Sequence, residues 1–116
     1  MDGPISMAHR APLDCEGNRI HKTCKSSGLL SASGLVTAAA SVLVGLIVKT
    51  DGANDAHVVL RNRATAGGTD AEVIADIDVI AADKQGGEVN IWCDAPAGIY
   101  ATITGTGAKA LVRYVD

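Results

Sequence analysis

The groups in this 116-residue chain able to act on a substrate or hold a metal are three histidines, three cysteines and thirteen acidic residues. Catalysis would require a nucleophile beside a base, a carboxylate pair in a pocket or a cluster of metal ligands. His9, His21 and His57 are dispersed along the chain. His57 stands on the outward parity of a strand pattern with Arg61 and Arg63, and no base or ligand motif accompanies it, so it reads as a solvated histidine. Cys15, His21 and Cys24 have metal-capable chemistry, but their spacing matches no zinc signature and a fourth ligand is missing. Cys93 falls among apolar residues of alternating pattern, which describes a buried, inert thiol. Asp51, Asn54 and Asp55 could offer oxygens to calcium, yet they show neither the spacing nor the closing Glu of an EF-hand loop. Asp, Gly and Asn are also the residues a tight turn requires. Asp76 and Asp78 share one strand face and read as part of a solvated sheet surface. The glycine pairs lie between strands with no helix after them, so no phosphate-cradling motif is present. The expectation is therefore no catalytic residues, no metal site and no cofactor.

The elements that must position these groups are short. With Lys+Arg 10 against Asp+Glu 13 and a net charge of −3, the chain is a single slightly acidic domain in length and composition. Its aromatic residues are Trp92, Tyr100 and Tyr114, with no Phe, so Val, Ile, Leu and Ala must fill the interior. A small domain with so few rings gains little per residue from burial, which favours assembly with further copies. The absence of a basic stripe and of stacking rings argues against a nucleic-acid partner. An odd number of cysteines without C-x-x-C spacing fits a reducing cytosol, and residues 1–22 lack the apolar core of a secretory signal.

Leu29 to Val48 carries no charge over 20 residues and is long enough to span a bilayer as a helix. Its internal Ser31, Ser33, Gly34, Thr37, Ser41 and Gly45 and its β-branched end fit two strands with a Gly/Ser break better, so no membrane partner is expected. Residues 1–25 contain Pro4, Pro12, Gly3 and Gly17 without apolar periodicity and read as an extended N-terminal arm. Arg10, Arg19, Lys22 and Lys25 give this arm a balance of +1, against −4 for residues 26–116. An arm of that charge suits docking on an acidic neighbour, and a disordered tail is the alternative that a terminus of this composition offers.

From residue 26 onward, turn signals recur every eight to twelve residues. Ser33 to Ala39 and Ser41 to Thr50 read as strands. Asp51-Gly52 with Asn54-Asp55 then reads as the turn of a hairpin leading into Ala56 to Ala64. Ala71, Val73, Ala75, Ile77, Val79 and Ala81 are all apolar, with Glu72, Asp76 and Asp78 falling between them, a period of two. Val89, Ile91, Cys93 and Ala95 repeat the inward set, placing Glu88, Asn90, Trp92 and Asp94 outside. Ile99 to Gly105 and Lys109 to Val115 complete the series. Seven strands, or eight if Arg19 to Lys25 joins, predict an all-β, antiparallel, two-sheet sandwich that is jelly-roll-like, with the N-terminal arm outside it.

The runs VLVGLIVKTDGANDAHVVLRN at Val42 to Asn62, ADIDV at Ala75 to Val79 and GIYATITGTGAKALVRY at Gly98 to Tyr114 resemble small virion proteins of tailed bacteriophages. The likeness covers roughly the last 80 residues, carried by turn and strand wording. It implies a non-enzymatic structural protein of the virion, assembled in the host cytoplasm. The first candidate is a capsid cement (decoration) protein, a homotrimer that binds between subunits of the major capsid protein. A neck, tail or fibre component is the alternative. A small carbohydrate-binding or hydrolytic β domain is disfavoured by the three aromatics and the lack of an acid/base pair. Interface residues expected on this reading are Trp92, on the outer face of its strand, and the arm residues Arg10, Arg19, Lys22 and Lys25.

Overall fold

The computed structural model describes residues 24–116. They form eight strands: β1 (Lys25–Leu30), β2 (Gly34–Thr37), β3 (Ser41–Lys49), β4 (Ala56–Arg61), β5 (Val73–Val79), β6 (Gln85–Ala95), β7 (Ile99–Thr104) and β8 (Lys109–Val115). One four-stranded sheet has the order β1-β8-β3-β6 and the other β2-β7-β4-β5. All pairings are antiparallel. This is the two-sheet sandwich expected from the alternation. Of the seven connections only β4 to β5 stays within a sheet; the other six cross between sheets, which is the wiring of a jelly roll.

That wiring corrects the hairpin expected at Asp51 to Asp55. β3 pairs with β6 and β8, whereas β4 pairs with β5 and β7, so the turn carries the chain from one sheet to the other. Asp-Gly turn chemistry bends the chain locally but does not choose the sheet that the next strand joins. The remaining boundaries shift modestly. The second strand is Gly34–Thr37 rather than Ser33 to Ala39, and the fourth stops at Arg61 rather than Ala64. The eighth strand is Lys25–Leu30; of the Arg19 to Lys25 segment expected there, residues 19–23 lie outside the described residues. Leu29 to Val48 is divided among β1, β2 and β3, and no helix among the described residues is long and apolar enough to cross a membrane.

The interior is aliphatic. Leu43, Leu46, Val48, Val58, Leu60, Ile99 and Val112 are fully buried, with Ala95, Ala101 and Ala110 between them. Leu43 and Leu46 both face inward although three residues apart. The register of β3 against both its neighbours shifts between Leu43 and Gly45, and this bulge resets the alternation. Val42, Val44 and Ile47 therefore share the opposite face, half-buried and outside the core cluster.

Three connections meet at one end of the sandwich. Asp51 Oδ1 accepts hydrogen bonds from the N–H groups of Ala53 and Asn54 at 2.8 Å each, and Asn54 Nδ2 donates to Asp51 Oδ2 at 2.9 Å. Asp55 Oδ1 accepts the Ala81 N–H at 2.8 Å, tying this turn to the β5–β6 connection. Gly105 presses on the same turn from the β7–β8 connection. Its φ is +117°, and a Cβ there would collide with the Asp55 carbonyl oxygen. Only glycine satisfies both conditions. Gly105→Ala is expected to destabilise the domain by about 1–3 kcal/mol, the usual cost of an L-residue held at such a φ. Thermal unfolding checks it; an unchanged melting temperature would show that the turn relaxes freely.

Candidate functional site

Two surfaces gather the residues with binding potential, one on the outer face of each sheet. On the first sheet, Ile47 of β3 is paired directly with Leu111 of β8, and Leu111 with Leu29 of β1. These three aliphatic side chains form a row across three strands. Ile47 and Leu111 are half-buried outside the core, and Leu29 is 52% exposed. Val42 and Val44 extend the apolar surface along β3. Cations stand beside it: Lys49 lies directly opposite Lys109, and Arg113 is exposed on the same strand as Leu111. Like charges placed opposite each other across a sheet repel. Neither lysine has a carboxylate in ion-pair range among the described residues.

The rim of this face is the edge strand β6, where the expected alternation fails. Gly45 is opposite Val89 and Leu43 opposite Cys93, so one residue of β3 faces three of β6, Asn90 to Trp92. The backbone absorbs the excess in left-handed conformations at Asn90 (φ +61°) and Trp92 (φ +48°). Asn tolerates that region; for a residue as bulky as Trp it is a true outlier. Val89, expected inside, is 71% exposed as a result. Ile91 and Cys93 keep their inward role and pack on the core, and Trp92 is outside as expected, 43% exposed.

On the second sheet, β4 and β5 bring together three groups that sequence spacing keeps apart. His57 is directly opposite Asp78, and Val59 opposite Asp76, so both carboxylates flank the imidazole. His57 Nε2 lies 2.5 Å from Asp76 Oδ1 and 3.9 Å from Asp78 Oδ1. The three residues can each present one ligand atom within 4.8 Å of the others. This corrects the reading of His57 as a solvated histidine without a partner and of Asp76 and Asp78 as a plain solvated face. The missing signal was the register of two strands 19 residues apart in sequence, which alternation alone does not supply.

The other candidates are structural. The Asp51 carboxylate is held below its ordinary range by the Ala53 N–H, then by the Asn54 side chain and N–H, and both its oxygens are used inside the turn. Glu72 is similarly lowered, first by the Thr69 N–H at 2.8 Å, with Arg63 at 3.0 Å adding its charge. Lys25, expected in the arm, opens β1, and its ammonium lies 2.7 Å from Asp116, whose hydrogen bond and charge raise its pKa. Cys24 is exposed and Cys93 half-buried on the core, both as free thiols. His9, Arg10, Cys15, Arg19, His21 and Lys22 lie outside the described residues.

Comparison of the chain with protein-family models, with curated proteins and with solved structures finds no match. The β6 bulge gives its own test. Asn90→Val places a β-branched residue in a left-handed position and is expected to cost about 1–2 kcal/mol, whereas Asn90→Gly leaves stability unchanged or raised. Chemical denaturation of the two variants separates them, and equal midpoints would mean that the bulge does not persist in solution.

Proposed function

We propose that this protein is a non-enzymatic structural protein of a bacteriophage virion, a capsid cement protein that assembles as a homotrimer and binds between subunits of the major capsid protein. The observation that carries the reading is the outer face of the first sheet: the aliphatic row Ile47, Leu111 and Leu29, joined by Val42 and Val44, beside the cations Lys49 and Lys109, which have no ion-pair partner among the described residues. An apolar centre with a charged rim is the anatomy of a protein interface. Trp92 and Val89 stand at its bulged border, and Trp is the residue type most enriched where interface energy concentrates. Further support is the wording of Val42 to Asn62, Ala75 to Val79 and Gly98 to Tyr114, which resembles small virion proteins. The jelly-roll strand order adds an architecture that viral capsid domains use, an analogy of fold alone.

In this reading the protein works by buried contact. A molecule that binds only the assembled lattice stabilises that lattice by mass action, so shells carrying it withstand more heat than bare shells. The basic residues Arg10, Arg19 and Lys22 of the N-terminal segment supply charge for an acidic capsid surface. Labelled protein located by electron microscopy over the whole shell supports the assignment; label confined to the neck, tail or fibres replaces it with a tail-associated role.

The face itself is tested in solution. Ile47→Lys places a charge in the centre of the row and is expected to leave a folded monomer. Trp92→Ala is expected to weaken assembly by about 2 kcal/mol. Light scattering reads both variants, and Trp92 fluorescence shifts to the blue as the unmodified chain assembles. A monomeric unmodified protein, or assembly indifferent to both substitutions, sinks the interface.

A further inference from the structure

We propose that His57, Asp76 and Asp78 form a binding site for a first-row divalent transition-metal ion, of which zinc and cobalt are the natural probes, on the outer face of the second sheet. The site does not depend on the virion reading. Its three side chains come from adjacent strands whose ladder fixes their spacing. β4 is hydrogen-bonded on both sides, to β5 and β7, and Asp76 and Asp78 are two residues apart on β5 and so point to the same face. Ligands mounted on paired strands are held more accurately than ligands on loops.

The geometry converges on one point. The imidazole nitrogen is 2.5 Å from one carboxylate oxygen and 3.9 Å from the other, and all three ligand atoms lie within 4.8 Å. Small side-chain rotations would bring all three onto one ion with ordinary metal–ligand distances of about 2.0–2.2 Å. The donor set selects the ion class. An imidazole with two carboxylates suits zinc and its first-row neighbours, whereas calcium and magnesium take oxygen ligands. Three protein ligands also leave coordination positions open to water or to a group from another molecule. Side-chain exposures of 41% for His57, 54% for Asp76 and 80% for Asp78 keep those positions reachable.

Electrostatics points the same way. Asp76 and Asp78 repel each other on one face of the edge strand, and no Lys or Arg comes within ion-pair range of either among the described residues. The group beside them is the His57 imidazole, which is cationic only when protonated. A dication relieves the repulsion and leaves the imidazole neutral, as a ligand must be.

Isothermal titration of the full chain with zinc chloride, and separately with cobalt chloride, tests the site against His57→Gln and Asp78→Asn. The expected result is one binding event weakened about tenfold or more in each variant, since even partners behind the ligands typically matter that much. Asp78 is exposed and His57 half-buried, and circular dichroism establishes that the variants remain folded. Zinc should also move the His57 ring resonances in nitrogen-15 spectra, which separates this site from the thiols and imidazoles of residues 1–24. Binding unchanged in both variants, His57 resonances that stay in place, or no binding of either metal would overturn the proposal and leave the cluster as a hydrogen-bonded pair with a neighbouring acid.

Discussion

The molecule depends on the close approach of two four-stranded sheets over an interior filled by Leu, Val, Ile and Ala, without a fully buried ring. Such side chains interlock only if they are evenly phased along every strand. Where the phase would drift, the backbone corrects it. The bulge at Val44 and Gly45 is the clearest case, because without it Leu43 and Leu46 could not both reach the core. Removing any one of the fully buried leucines would leave a cavity costing about 2–5 kcal/mol. The aliphatic filling also explains why so many alanines are wholly enclosed: small side chains let the facing layers settle together.

Much of this was legible in the chain. The alternation of Val73, Ala75, Ile77 and Val79 with Asp76 and Asp78, and of Ile99, Ala101 and Ile103 with Tyr100 and Thr102, describes strands with one covered face, and the structure has them. What stayed hidden was non-local. The Asp51 to Asp55 turn has the chemistry of a hairpin, but turn chemistry acts over four or five residues and the choice of sheet is made by pairings far away. β6 shows the opposite failure. Val89, Ile91, Cys93 and Ala95 alternate without a flaw in sequence, yet β6 has to accommodate three residues opposite one of β3, and Val89 is turned out. The His57, Asp76 and Asp78 group was invisible for a related reason, since neighbours across a ladder are set by register and spacing along one strand carries no information about it.

The two outer faces have different characters. The first sheet presents aliphatic side chains with lysines and an arginine; the second presents an imidazole with two carboxylates. A sandwich with one plain solvated exterior would show neither concentration. Since six of the seven connections pass between sheets, residues close in sequence are distributed to both faces, and each surface is assembled from distant parts of the chain.

The left-handed residues of β6 bear on how such a molecule behaves when crowded. An uninterrupted edge of eleven residues would expose a long series of free amide and carbonyl groups, a template on which a second chain could add as a further strand. The left-handed turns of the backbone at Asn90 and Trp92 interrupt that series. Addition of a further strand along this sheet edge, the first step of open-ended polymerisation, is thereby disfavoured.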